Sequence, residues 1–142
     1  MEKKYKLTDE VIDFKGCKLH RIEALKDFSN VKKGDRGGFV ESKDNLSQDG
    51  DCWIHDDAMV YDNAKICDNA MVYGDARVFG NAIVFDDARV FGNARVFGNT
   101  MVGGNARICS NTIVYNKAKI FGNARILTMQ WSVIIQRFMT MQ

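Results

Sequence analysis

The chain has 142 residues, 46% of them hydrophobic, with 12 glycines, no proline and a formal net charge of +2. That length predicts one domain, or one domain with a small cap, and the apolar fraction excludes wholesale disorder. With 20 basic against 18 acidic residues, the chain is neither an acidic nucleic-acid mimic nor a generally basic nucleic-acid-binding domain, so any anion site must be local.

In chain order, residues 1–45 do not repeat and are expected to form an N-terminal cap. The opening MEKKYKLTDEVIDFKG is charged and lacks the apolar core of a secretory signal. No run of about 18 apolar residues is present, so no membrane span is expected and the predicted location is cytoplasmic. Tyr5 and Leu7, then Val11, Ile12 and Phe14, then Leu19, Ile22 and Leu25 read as short strands, with a tight turn at Lys15-Gly16. The loop Val31 to Gly38 is basic and Gly-rich, but it lacks both GxGxxG and a terminal Lys-Ser/Thr, so it reads as structural.

Residues 46–127 are dominated by a period of six. The clearest unit, Ala-Arg-Val-Phe-Gly-Asn, stands at 88–93 and again at 94–99. An aliphatic residue recurs at every sixth position from Ile54 and Val60 to Ile120 and Ile126, and a small residue sits two places before each. Alternation puts Ala and Val on one face and Arg and Phe on the other. The Gly-Asn, Asp-Asn and Asp-Asp pairs that follow are turn formers. Each unit is thus a very short strand and a bend, which buries its apolar side only by stacking on copies of itself.

These units resemble the hexapeptide-repeat, left-handed parallel β-helix family, although Phe or Tyr here often follows the aliphatic residue. The resemblance implies an all-β fold: a single-stranded parallel β-helix, left-handed and triangular, of about four coils. Three hexapeptides would make one coil, and residues 18 apart would stack about 4.8 Å apart.

On that basis three faces can be written out. The first is built on Ile54, Val72, Val90, Ile108 and Ile126, and presents Arg89, Arg107 and Arg125 outward as a ladder. It reads either as an anion- or partner-binding column or as a solvated basic face. The second carries an aromatic ladder, Tyr61, Phe79, Phe97 and Tyr115, which reads either as a partner-binding strip or as a staple between coils. The third is mixed, with Ile83 and Met101 as an apolar patch suited to a second protomer. Asp68, Asp86 and Asp87 are read as turn residues, not as a calcium site.

Residues 128–142 are expected to be a C-terminal cap or oligomer contact. Trp131, Ile134, Ile135 and Phe138 fall at helical spacing, so a short helix or a strand covering the last coil is predicted.

Across residues 4 to 126, the segments KYKLTDE, LHRIEALKDF, GDRGGFVE, NLSQDGDCWIHDDAMVYDNA and GNARVFGN are similar to phage and prophage hexapeptide-repeat proteins. Acyltransferases with such repeats use a catalytic His and loops that interrupt the coils. Here the histidines are only His20 and His55, and no insertion breaks the repeat. Carbonic anhydrases of this type need three His ligands, which two cannot supply. The four cysteines, Cys17, Cys52, Cys67 and Cys109, form no CxxC pair and read as reduced thiols. The expectation is therefore no catalytic residues, no metal and no cofactor. The expected role is a binding protein that inhibits a host factor, in antiviral defence, by surface contact. The alternatives are an acyltransferase-like enzyme and a sponge for an anionic nucleotide at the arginine ladder.

Overall fold

The computed structural model describes residues 3–126 and the backbone of 133–134 and 138–140. Its architecture follows from the hexapeptide period. Each repeat contributes a rung of two to four residues, such as Met71–Val72 or Arg95–Val96, and the rungs stack in parallel as three sheets. Register is strict: Val90 pairs with Val72 below and Ile108 above, and Val96 with Val78 and Val114. This is the parallel β-solenoid that the repeat predicts. The ladder runs to about five turns. The additional rungs are Val133–Ile134, on Val114–Tyr115, and Phe138–Thr140, on Ile120–Gly122.

The small and aliphatic residues of every described repeat face inward. From Ala58 to Ala124 they are almost wholly excluded from solvent. Burying each Val or Ile contributes about 1.5–3 kcal/mol. Thr100 and Thr112 replace Ala in the inward column. Their hydroxyls donate to the Phe97 and Cys109 carbonyls at 2.6 and 2.7 Å, so neither polar group is stranded. The bends use residues that tolerate left-handed backbone. Gly98 (φ 74°) and Asp86 (φ 55°) occupy equivalent corners. Asp corners add a device of their own, because the side chain accepts from the backbone N–H one coil above. Asp68 takes Asp86 N and Asp86 takes Gly104 N, both at 3.0 Å. That bond gives Asp68 and Asp86 a role in the turns themselves.

The cap is two antiparallel strands, β1 (Tyr5–Phe14) and β2 (Cys17–Ala24), then β3 (Arg36–Val40). The three short segments read from the sequence resolve into one long strand, bulged between Leu7 and Val11, and its partner. The Lys15-Gly16 turn joins them with positive φ at both residues. Strand β3 lies antiparallel to β2 on one side and parallel to Met59–Val60 on the other, so the cap extends the second sheet of the solenoid. Gly37 and Gly38 make this contact possible, as a Cβ there would lie 2.3 Å from the Ile54 carbonyl oxygen or 2.4 Å from that of Ala58. The other two sheet edges are also covered. Trp53 is buried beneath Tyr5 and Phe28, with ring centroids 6.2 and 5.3 Å away. Leu46 bridges to Ile66. Paired or covered edges suppress strand addition by other chains.

Lys4 is buried in this cap. Its ammonium donates to the Cys52 carbonyl at 2.8 Å and the Gly50 carbonyl at 3.2 Å, and sits over the Phe28 ring. Desolvation pushes its pKa below the ordinary value.

Candidate functional site

Because each rung repeats the last, the outward residue before the aliphatic position is copied upward every coil. Arg89, Arg107 and Arg125 pair in direct register on the first sheet, as predicted, and all three are exposed. Below them the column changes chemistry: Met71 is half-buried, and Trp53 lies under the cap. The same position on the second sheet carries Met59, Arg77, Arg95 and Ile113, a second basic pair that the sequence reading left out. Its signal was present, since Arg77 and Arg95 precede Val78 and Val96 as Arg89 precedes Val90.

Among the described residues, no Asp or Glu lies within 4.0 Å of the guanidinium groups of Arg89, Arg95, Arg107 or Arg125. Arginines stacked in parallel register repel, which makes each column a local cost to the fold. The described ion pairs sit instead in and beside the cap. There Arg21 holds Glu10 at 2.8 Å and Asp57 at 3.1 Å, and Arg36 holds Glu10 at 2.8 Å. Arg77 and Arg95 line a groove of about 500 Å³ with Asp57, Asp75, Asn93 and Asn111, so this second column faces a mixed surface. Arg77 is further occupied, lying over the Phe14 ring at 4.6 Å.

The aromatic ladder forms in the predicted order. Tyr61, Phe79, Phe97 and Tyr115 are stacked at centroid distances of 4.9, 4.8 and 5.5 Å, within 10° of parallel. It is not a bare strip, however. Tyr61 is buried, sealed edge-on by Phe14 of the cap, and the three rings above it are half-buried. This geometry is that of a staple between coils, at about 0.5–1.5 kcal/mol per pair beyond area burial. A second stack, Tyr73 on Phe91 at 4.8 Å, runs along another corner.

His55 caps that second stack, its ring edge-on to Tyr73 at 6.3 Å. Burial pushes its pKa below the ordinary 6.5, against the opposing charge of Asp56. The unfolded chain therefore binds more protons as pH falls below 6.5. Stability drops from there and levels off once the folded ring is itself charged. His55→Phe, which continues the stack, is expected to remove that share of the acid loss in urea midpoints measured against pH. An unchanged acid slope would contradict a desolvated ring. His20 lies on β2, its Nδ1 3.1 Å from the Thr8 carbonyl oxygen.

On the third sheet, Met101 is exposed and Ile83 half-buried, and Phe85 packs across Gly103. Of the predicted oligomer contact, Trp131 and Ile135 lie outside the described residues. Ile134 and Phe138 are placed only as strand backbone. No helix among the described residues is long and apolar enough to cross a membrane. The fold also gathers a cluster that no sequence motif announces: Cys17, Glu41 and Asp62 bring their ligand atoms within 4.8 Å of one another.

Fold and surface together define a parallel β-solenoid of the hexapeptide-repeat type. Comparison with known proteins agrees with that class. A family model described as YdcK Beta solenoid repeat matches residues 64–78 and 88–104. A curated relative from Escherichia coli (strain K12), named "Uncharacterized acetyltransferase YdcK", is 34% identical over 73 residues. That match covers 45% of this chain but only 22% of the relative's length.

Proposed function

We propose that this chain is a non-catalytic binding protein, acting in the cytoplasm, that occupies an anionic surface of a host factor. Inhibition of antiviral defence is the role we assign to it, in keeping with its resemblance to phage and prophage repeat proteins. The observation that carries the reading is the Arg89, Arg107 and Arg125 column. Three exposed guanidiniums are held in register with no acidic partner among the described residues. A fold that keeps such self-repulsion gains from it only when an anion relieves it, and departures from local rules concentrate at functional sites. Guanidinium forks suit carboxylate and phosphate groups alike. The stacked aromatic ladder and uninterrupted coils make the column rigid, which lowers the ordering cost of binding.

The test is charge reversal. Arg89→Glu with Arg107→Glu is expected to abolish capture of the host partner in pull-downs. Because both sites are exposed, each change should alter stability by no more than about 0.5 kcal/mol. Capture by the wild-type chain should weaken as salt rises. Wild-type capture by the double variant would refute the assignment. A thermal shift with cyclic di- or trinucleotides that is lost in the same variant would redirect the column to a nucleotide ligand.

A second reading is acyl transfer, favoured by the name of the curated relative. It requires acetyl-coenzyme A binding and a general base, for which His55 is the candidate.

A further inference from the structure

We propose that Cys17, Glu41 and Asp62 form a binding site for a divalent ion of the zinc type, which pins the N-terminal cap to the first coil. The three residues come from separate segments. Cys17 opens β2, Glu41 directly follows β3, and Asp62 is the corner after the rung Met59–Val60. Docking β3 against that rung, Val40 on Val60, is what brings them together. Thiolate and carboxylate are both ordinary zinc ligands, and a mixed set of three leaves a fourth position for water.

Three features set this cluster apart from a chance gathering of polar groups. First, both carboxylates are oriented by backbone donors: Asp62 N donates to Glu41 Oε1 at 2.8 Å, and Gly80 N to Asp62 Oδ2 at 3.2 Å. Each keeps its other oxygen uncommitted to those bonds, and such outer hydrogen bonds are what fix metal ligands in place. Second, no Lys or Arg among the described residues lies within 4.0 Å of either carboxylate, so the cluster holds acidic groups without a paired cation. Third, the equivalent corners show what the repeat alone requires. Asp56, Asp68 and Asp86 each make the same bond to the coil above, and none belongs to such a group. Glu41 makes that same bond to Asp62 N from the cap, so the Cys17 thiol is the addition at this corner that turn geometry does not explain.

Desolvation, then the charges of Glu41 and Asp62 and the hydrogen bond to Glu41, push the Cys17 thiol above its ordinary pKa. A divalent cation would invert that effect, since it stabilises the thiolate and neutralises the carboxylates. Ligand atoms about 2.0–2.3 Å from a tetrahedral ion lie roughly 3.5 Å apart, so closing the site asks for about 1 Å of side-chain movement. Asp62 is exposed and the other two are half-buried, which leaves an entry path.

The experiment uses the full chain, reduced and stripped with chelator, titrated with cadmium as a thiolate-sensitive probe and then with zinc in competition. The expected result is one ion per chain and a cadmium–thiolate charge-transfer band that zinc displaces. Cys17→Ser should lose the band, while Cys67→Ser and Cys109→Ser keep it. Glu41→Gln and Asp62→Asn should each bind at least about tenfold more weakly. Circular dichroism checks that each variant is folded; if Cys17→Ser is not, the two carboxylate variants decide. Zinc should also raise the melting temperature of the wild-type chain and not that of Glu41→Gln. Absence of the band in the wild-type chain, its survival in Cys17→Ser, or unchanged affinity in both carboxylate variants would overturn the site.

Discussion

Val96→Asp is expected to abolish folding of the solenoid. Val96 is fully buried in the inward column and pairs with Val78 and Val114 in the coils on either side. The substitution forfeits about 1.5–3 kcal/mol of apolar burial. It also places a carboxyl group among apolar side chains, at a cost of several kcal/mol more if the group stays charged. A domain of this size has only about 5–15 kcal/mol to lose. The damage does not stay local, because each coil is stable only through its neighbours. The neighbouring change Arg95→Ala, on the outward face of the same rung, should shift stability by no more than about 0.5 kcal/mol. Thermal melts followed by circular dichroism distinguish the two. A wild-type melting curve for Val96→Asp would show that the column does not face inward.

Gly38→Val is expected to detach the cap while leaving the distal coils folded. A Cβ at Gly38 would lie 2.4 Å from the Ala58 carbonyl oxygen and 2.5 Å from Ile54 Cγ2, and the first of these is backbone that cannot swing away. The clash falls where Phe39 N donates to Ala58 O at 2.9 Å, the bond that starts the pairing of cap and coil. Overpacking of this kind costs about 1–3 kcal/mol or more, concentrated on one junction. Hydrogen exchange should show lost protection at Phe39 and Glu41, whose N–H groups bond to the first coil, with protection retained at Phe97. Proteolysis should then cut first within residues 1–50. Wild-type protection at Phe39 would contradict the role assigned to the paired glycines.

The features legible in the sequence are those set by the period itself. Alternation within six residues identifies the inward Ala/Val column, the three faces and the arginine and aromatic ladders, because each coil copies the last. What was not legible depends on contacts that cross the repeat boundary. That Tyr61 is sealed follows from Phe14 reaching over it from the cap, which no periodicity encodes. Cys17, Glu41 and Asp62 are far apart in the chain and meet only because β3 docks in parallel on the first coil. At the C-terminus, the helical spacing of Trp131, Ile134, Ile135 and Phe138 leaves helix and strand both open, and the described backbone, Val133–Ile134 and Phe138–Thr140, is strand. An open sheet edge is a strong template for pairing, which decides between the two there. The register there also slips. Val133 pairs with Val114, one residue beyond the spacing of 18 that the solenoid rungs otherwise keep, Phe138 on Ile120 included, and this hides the Val133–Ile134 rung from a search for strict repeats.

Whether this surface binds or catalyses is tested most directly by titrating the intact chain with acetyl-coenzyme A in a calorimeter. A non-catalytic role predicts no saturable heat, and the same null trace for His55→Ala. Saturable binding of one acetyl-coenzyme A per chain, weakened by His55→Ala, would contradict it.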